Sequence, residues 1–392
     1  MTPLPTLAKR TLLATALVAA AVPALAFEPD TLTVWVGPNR DVAALQAIGD
    51  RFTEELGIPV TVLEVDPLPE KFQQAAATGD GPDLALYAHD RFGEWAAGGL
   101  ISPVTLSPAT SEGLVDTALD AVSFGGKVWG YPVSVEAVGL IWNKALVDAP
   151  PESFEEIGDM EIADGKAPIL WDYDNTYFTF PLLAANGGYA FEKVDGSYDG
   201  SRTGVNTEGA IEGAEVLDAM IESGTMPKGV DYGVMDAAMS RGDVAMVING
   251  PWAWAGLKGA GIDFAVAPLP SVGGKPAVPF VGVQAFAVNA ASPNKDLAAE
   301  FVENHLMSDE SLAEWNARDA LGTLADLSAS AGQTDPNVVA TLEIAKSGVP
   351  MPSNPEMGAF WSAMEPALAN ITSQAQEPKA ALDDAAARIL GE

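Results

Sequence analysis

The stretch TLTVWVGPNRDVAALQAIGDRFTEEL, residues 31–56, predicts a strand followed by a helix. Residues 31–36 are mostly β-branched, aromatic or apolar, whereas residues 41–56 place apolar side chains at helical spacing and stop at Gly57. The alternation continues with a strand at residues 59–64, a helix at 69–77 and a strand at 83–88. This βαβαβ order is typical of an α/β fold with a mostly parallel sheet and helices on both faces.

The later part of the chain continues the mixture of strands and helices. Residues 126–143 (GKVWGYPVSVEAVGLIWN) predict paired strands, and Ser292 and Pro293 predict the cap and first residue of a helix. Helical spacing is found at residues 207–223, 292–307, 336–346, 355–371 and 380–390. No repeat or low-complexity linker divides the chain, which favours two lobes joined by crossing strands. Residues 133–136 and 281–286 are apolar and extended enough to cross.

The first 26 residues predict a cleaved signal peptide. Lys9 and Arg10 precede the apolar residues 11–22, and Ala24-Leu25-Ala26 fits a cleavage site before Phe27. The apolar run is too short to span a bilayer, so we favour export over anchoring. No later stretch approaches about 20 unbroken apolar residues, so the sequence predicts no membrane insertion.

The composition restricts the partners of the chain. It has 392 residues, with 54 acidic and 20 basic residues and a formal net charge of −34. Such a surface repels phosphate backbones and anionic lipid, which argues against nucleic-acid binding. There is no cysteine, so stability must come from a large core, for which 48% hydrophobic residues are sufficient.

Motifs for catalysis and for metal binding are incomplete. His89 and His305 are the only histidines, and without cysteine they predict no zinc site. Residues 172–183 begin like a calcium loop but have Tyr177 in place of glycine and Leu183 in place of the closing glutamate. We therefore predict no metal, no cofactor and no enzyme activity. Paired carboxylates of a glycoside hydrolase stay open as an alternative, because 54 acids always offer pairs.

The third predicted strand ends in the triplet His89-Asp90-Arg91. We interpret His89 as a structural residue, and Asp90 as the cap of a helix that begins near Phe92. The functional alternative is that Asp90 and Arg91 face a cleft, because ligands of doubly wound sheets bind beyond the carboxyl ends of the strands.

Aromatic residues beside polar or turn residues indicate the ligand class. They are Trp252 and Trp254 in NGPWAW, Trp361 in GAFWSAM, and Tyr177 and Phe178 after DYDN. Sugar C–H faces pack on aromatic rings, and sugar hydroxyls bind planar charged groups. Trp35, within a strand, is instead assigned to the core.

Six blocks of the sequence carry a family resemblance. They are residues 76–93 (AATGDGPDLALYAHDRFG), 131–144 (YPVSVEAVGLIWNK), 176–191 (TYFTFPLLAANGGYAF), 245–254 (AMVINGPWAW), 279–295 (PFVGVQAFAVNAASPNK) and 351–361 (MPSNPEMGAFW). Together they resemble the periplasmic maltose/maltodextrin-binding proteins, the solute-binding components of ATP-binding cassette importers. The resemblance covers nearly all of the predicted mature chain.

The resemblance implies a two-lobed α/β periplasmic binding protein fold, with discontinuous lobes joined by three crossing segments around a ligand cleft. The N-terminal lobe would comprise residues 27–135 and 284–333, and the C-terminal lobe residues 136–283 and 334–392. The protein would be a periplasmic monomer that captures maltose or short maltodextrins and delivers them to permease subunits by closing. Alternatives are another α-glucoside such as trehalose, a different solute such as a peptide or a metal ion, and, more distantly, a secreted glycoside hydrolase.

The resemblance also implies a set of sugar contacts. The polar ones are Glu70, Asp90, Arg91 and Glu136; the aromatic ones are Tyr87, Tyr177, Phe178, Tyr232, Trp252 and Trp361; Ala88 and Met351 line the same wall. Tyr87 occupies a position where the family commonly has tryptophan. Other departures from the family pattern are Gly37, Asn39, Arg40, Pro69, Asn175 and Glu365.

Overall fold

The computed structural model describes residues 27–38, 40–163, 165–194 and 197–392, so the predicted signal peptide and Asn39 lie outside the described residues. The strands are β1 (Leu32–Val36), β2 (Val60–Glu64), β3 (Leu84–Ala88), β4 (Ile101–Ser102), β5 (Ser123–Phe124), β6 (Lys127–Val128), β7 (Tyr131–Ala137), β8 (Gly139–Asn143), β9 (Ala167–Leu170), β10 (Glu192–Val194), β11 (Ser197–Asp199), β12 (Val244–Asn249), β13 (Phe264–Ala267), β14 (Phe280–Asn289), β15 (Thr323–Leu324) and β16 (Val349–Pro350).

The α-helices are α1 (Val42–Leu56), α2 (Leu68–Ala77), α3 (Phe92–Ala97), α4 (Pro108–Gly113), α5 (Asp116–Ala121), α6 (Thr176–Ala185), α7 (Glu208–Glu222), α8 (Tyr232–Ser240), α9 (Trp254–Gly259), α10 (Lys295–Glu300), α11 (Asp309–Arg318), α12 (Leu327–Ala331), α13 (Pro336–Ser347), α14 (Met357–Thr372) and α15 (Pro378–Leu390). Short 3-10 helices occupy His89–Arg91, Phe154–Asp159 and Pro251–Ala253, and a π-helical turn occupies Phe301–Leu306. None of the helices in the described residues is long and apolar enough to cross a bilayer.

The opening strand and helix form as the sequence predicts. Asp41 caps α1, because its Oδ1 accepts a hydrogen bond of 2.9 Å from the backbone N–H of Ala44. Gly57 ends the helix in a left-handed conformation, with φ of 77°, that glycine adopts without strain. The apolar face of α1, including Ile48 and Phe52, is buried.

The first sheet is mixed, so the prediction of a mostly parallel sheet is wrong. Its order is β15-β7-β14-β3-β1-β2, and β4 and β16 also pair with β14. β1 is parallel to β2 and β3, whereas β14 is antiparallel to both β3 and β7. The βαβαβ pattern predicts the direction of the first three strands only, because β14 comes from later in the chain and enters the sheet antiparallel to β3 and to β7.

The predicted pairing of strands within residues 126–143 is wrong. β6 pairs with β5, which precedes this segment, whereas β7 belongs to the first sheet and β8 to a second sheet of order β13-β8-β12-β9. Only Val138, which is fully buried, separates β7 from β8. The chain therefore passes from one sheet to the other at Val138, and local alternation of residues could not show that the partners differ.

Each sheet has its own hydrophobic core, which gives the molecule two lobes. The cores of the first lobe draw on residues 32–135 and 281–325, and the core of the second on residues 137–280 and 338–389. Core membership thus changes at three places along the chain, which agrees with a fold whose lobes are joined by three segments. Trp35 is only partly buried and packs against the first lobe.

The helix predicted to begin at Pro293 begins two residues later, at Lys295, and its N-cap is Asn294. The Ser292 hydroxyl instead donates a hydrogen bond of 2.6 Å to Asp83 Oδ1, and it accepts one from the backbone N–H of Asn294. Asp83 is buried, so its carboxylate must accept hydrogen bonds from donors such as Ser292. Because the Ser292 hydroxyl is bonded to Asp83, it does not cap the helix.

Candidate functional site

A cavity of about 500 Å³ lies between the two lobes. Its lining contains eleven of the twelve predicted sugar contacts, namely Tyr87, Ala88, Asp90, Arg91, Glu136, Tyr177, Phe178, Tyr232, Trp252, Met351 and Trp361. The exception is Glu70, which is exposed in the first turn of α2; burial is the main cause of the raised pKa of Tyr87, and the charge of Glu70 adds to it. The structure thus brings together residues that are far apart in the sequence, and their role in binding stays a prediction.

Asp90 joins the two lobes across the cavity. Its Oδ2 accepts a hydrogen bond of 2.9 Å from Trp361 Nε1 on α14. The prediction that Asp90 caps the next helix is wrong, because Arg91 is the N-cap of α3 and makes no side-chain capping bond. Burial raises the pKa of Asp90 to about 6, and the charge of Arg91 and the N–H of Trp361 offset only part of this effect.

His89 is a structural residue, as predicted. Its ring is fully buried, and Nδ1 accepts a hydrogen bond of 3.0 Å from the backbone N–H of Val283 on β14. Nε2 therefore carries the proton and donates to the carbonyl of Met351 at 2.9 Å. Burial lowers the pKa of His89 to about 4, so the imidazole is neutral at ordinary pH.

The second lobe contributes a cluster of aromatic rings. Tyr177 and Phe178 lie in the first turn of α6, next to Tyr232 at the start of α8 and Trp252 after β12. The ring of Trp252 is 6.2 Å from that of Tyr177 and 6.3 Å from that of Phe178, and Phe178 is 6.1 Å from Tyr232. Such tilted and edge-on pairs fix the orientation of the rings.

Glycine at position 250 creates the space that Trp252 occupies. A side-chain carbon on Gly250 would coincide with the Trp252 indole ring. The sequence NGPWAW thus turns sharply after β12, and its first tryptophan lines the cavity. Trp254 is different, because it is 98% buried in the core of the second lobe.

A buried ion pair lies next to β7 and β14, the two strands near which the chain crosses between the lobes. Arg40 Nη2 donates to Glu136 Oε1 at 2.8 Å, and Gln284 Nε2 donates to Glu136 Oε2 at 3.1 Å. Asp319 lies 3.8 Å from Arg40 Nη1. Burial opposes the charge of Arg40, but the Glu136 and Asp319 carboxylates outweigh it and raise the arginine pKa. Burial also raises the pKa of Glu136, which Arg40 partly offsets.

Sequence reasoning assigned no binding role to several residues that line the cavity. They include Arg40, Gln284, Asp172, Asp174, Asn175, Thr176 and Glu365. The polar run DYDN ends at Asn175, two residues before Tyr177, and it was used only as a polar neighbour of the aromatic pair and as an incomplete calcium loop, without a binding role for its own residues. Gln284 had no signal, since it lies in a strand that otherwise reads as apolar.

The cavity combines ring faces with hydrogen-bonding groups and lacks the arrangement of a metal centre. In the parts of the chain described, no group of three or more His, Asp or Glu residues could hold a metal ion. A volume of about 500 Å³ falls within the range of roughly 300–1,000 Å³ of small-molecule sites. Flat rings beside carboxylates and guanidinium groups suit a ligand with both C–H faces and hydroxyls.

Comparisons with known proteins identify the family of the chain. Residues 47–360 match the family model described as bacterial extracellular solute-binding protein. The galactooligosaccharide-binding protein of Bacillus subtilis (strain 168) is 29% identical over 92% of this chain and 89% of its own length. The maltotriose-binding protein of Pyrococcus abyssi is 28% identical over 87% of this chain and 77% of its own length.

A third relative is a maltooligosaccharide ABC transporter solute-binding lipoprotein of Streptococcus pneumoniae (strain ATCC BAA-255 / R6). It is 27% identical over 92% of this chain and 88% of its own length. The family match spans far more than half of the chain, and it confirms the resemblance seen in the sequence. The chain is therefore a member of the bacterial extracellular solute-binding protein family.

Proposed function

We propose that this protein binds maltose or a short maltodextrin between its lobes and delivers it to the permease of an ABC importer. The observation that carries the proposal is the cavity itself, in which five Tyr and Trp rings from both lobes surround Asp90, Arg91 and Glu136. The names of two relatives, for maltotriose and for maltooligosaccharides, support an α-glucoside. The proposed sugar contacts include Glu70, which is exposed on α2 and is not among the residues that line the cavity.

The two-lobed architecture provides the mechanism of capture. Tyr87 and Asp90 lie on the first lobe, whereas Tyr177 and Trp252 lie on the second. A sugar that contacts both walls binds best when the lobes are close together, so binding shifts the hinge equilibrium towards the closed form. We propose that the closed monomer is the form that the permease recognises, in the periplasm after signal-peptide removal.

The lobe boundaries are part of the same proposal. We propose that residues 27–135 and 284–333 move as one lobe and residues 136–283 and 334–392 as the other. The division of the hydrophobic cores supports these limits, with the difference that Val281 and Val283 pack in the first lobe. The crossing points near Val138 and Val281 would then bend during closure.

Titration calorimetry on the mature protein tests the function. We expect heat with maltose and maltotriose, weaker heat with trehalose, and recovery of intact sugar after prolonged incubation, which a hydrolase would not allow. A galactooligosaccharide and cellobiose serve as comparisons. The Trp252→Ala variant should lose most of the affinity. Trp129→Ala, which removes a ring that stacks on Phe124 outside the cavity, is the matched control. Absence of heat with every α-glucoside would refute the proposal.

A further inference from the structure

The side of the cavity formed by the second lobe carries a concentration of acidic groups. Asp172, Asp174 and Glu365 line it. Burial is the main cause that raises the pKa of Asp172 to about 6, and the charges of Asp174, Asp231 and Glu365 add to this effect. Asp172 is half-buried, so its charge is only partly screened by water. A ligand in this part of the cavity therefore meets a negative potential.

The basic residues of the cavity do not neutralise these acids. Among the described residues that line it, the basic side chains are Arg40 and Arg91. Arg40 pairs with Glu136 at 2.8 Å, and Arg91 lies 3.4 Å from Glu94. Both arginines are thus engaged with other carboxylates of the chain.

Helix capping does not account for Asp172. The N-cap of α6 is Asn175, whose Oδ1 accepts from the N–H of Tyr177, and Asp231 caps α8. Asp174 Oδ1 accepts a hydrogen bond of 2.6 Å from the Thr372 hydroxyl. Asp172 has neither role; burial is the main cause of its raised pKa, and a hydrogen bond with the Asn175 side chain offsets part of that effect.

Thr176 gives an independent indication that this wall binds a polar group of a ligand. The residue lines the cavity and is 98% buried, and its hydroxyl oxygen has no hydrogen-bond partner within the described parts of the chain. A buried polar atom without a partner is costly, so a ligand group that bonds to it is favoured. Tyr232 and Trp252 add ring faces; burial is the main cause of the raised pKa of Tyr232, and the charges of Asp236 and Asp172 add to it.

We propose that the preferred α-glucoside carries a protonated amine, as in an amino sugar, held between the Asp172 carboxylate and the rings of Tyr232 and Trp252. An organic ammonium group is attracted both by the negative carboxylate and by the negative face of an aromatic ring. This inference rests on the proposed function, because it assigns the amine to the same bound sugar.

The matched ligands are maltose, the glucosyl-glucosamine with the same α-1,4 linkage, and the N-acetylated form of that amino sugar, each titrated at pH 7.5. We expect the amino sugar to bind about tenfold more tightly than maltose, the effect of one charge pair about 6 Å apart at an effective dielectric constant of about 40. Acetylation should remove the gain, and added salt should reduce it.

The Asp172→Asn variant should lose the preference for the amino sugar over maltose, measured as the ratio of the two affinities within the variant. Asp148→Asn, which removes one exposed acid away from the cavity, should keep it and so controls for net charge. Equal affinity for maltose and its amino analogue would overturn the inference while the proposed function stood. Heat with calcium chloride alone that disappears in Asp172→Asn would also overturn it, in favour of a metal ion. Failure of both sugars to bind would instead refute the proposed function.

Discussion

Replacing Asp90 with asparagine should make the stability of the protein strongly dependent on pH. In the wild type, Asp90 and His89 titrate in opposite senses over one pH window, because burial raises the pKa of Asp90 from 3.8 to about 6 and lowers that of His89 from 6.5 to about 4. Between these values the unfolded chain binds more protons at His89, and the folded protein binds more at Asp90. The two effects on the free energy of unfolding therefore oppose each other.

The magnitudes follow from the two shifts at about 1.4 kcal/mol per pKa unit. The contribution of His89 is fully present above pH 6.5, and about 3 kcal/mol of it is lost as the pH falls towards 4. That of Asp90 has the opposite sign: stability is about 3 kcal/mol greater at pH 3.8 than above pH 6, where the buried carboxylate is charged. The pair therefore nearly cancels in the wild type.

Asparagine at position 90 can still accept the hydrogen bond from Trp361, but it does not titrate. The free energy of unfolding of Asp90→Asn, measured by urea unfolding at several pH values, should exceed that of the wild type by about 3 kcal/mol at pH 7 and approach it at pH 4. Asp148→Asn, an exposed aspartate, is the control and should follow the wild type. Parallel curves for wild type and Asp90→Asn would show that Asp90 is not perturbed as the structure requires.

Two further substitutions test the crossing strands and the cavity wall. Arg40→Met should lower the free energy of unfolding by about 3–5 kcal/mol in thermal or urea unfolding, because it leaves the Glu136 carboxylate buried and unpaired, and adding Glu136→Gln should restore part of the loss. Gly250→Ala should leave the fold intact, displace the Trp252 ring and weaken sugar binding about tenfold in calorimetry, the worth of one well-packed ring. An unchanged affinity in Gly250→Ala would mean that Trp252 does not contact the sugar.

The elements of the fold that depend on local sequence could be predicted. The α1 helix is predicted by its apolar spacing, by Asp41 at one end and by Gly57 at the other, and the two end signals each act within one turn. Strand partners depend on distant segments instead. Nothing in residues 126–143 shows that β7 and β8 enter different sheets, since both are apolar and differ only in which core covers them.

The candidate site was predictable where the family pattern could be matched, and otherwise only in part. Asp90 illustrates the limit, because a helix cap and a hydrogen bond to Trp361 are equally compatible with its place after a strand. The two residues are 271 positions apart in the sequence, so only the fold decides. Arg40 was noted as a departure from the family, but its partner Glu136 was visible only in the structure.

The strand β14 connects the cavity to the hinge through three consecutive residues. Gly282 lines the cavity, and a side-chain carbon there would lie 3.2 Å from Met351 Cε and 3.5 Å from the Tyr177 hydroxyl. The N–H of Val283 donates a hydrogen bond to His89 Nδ1, and the side-chain amide of Gln284 donates one to Glu136 Oε2. His89 in turn bonds to the carbonyl of Met351, which belongs to the core of the second lobe. If the lobes close as proposed, a shift of β14 would move the cavity wall, the imidazole and the ion pair together, because all three are bonded to consecutive residues of this strand.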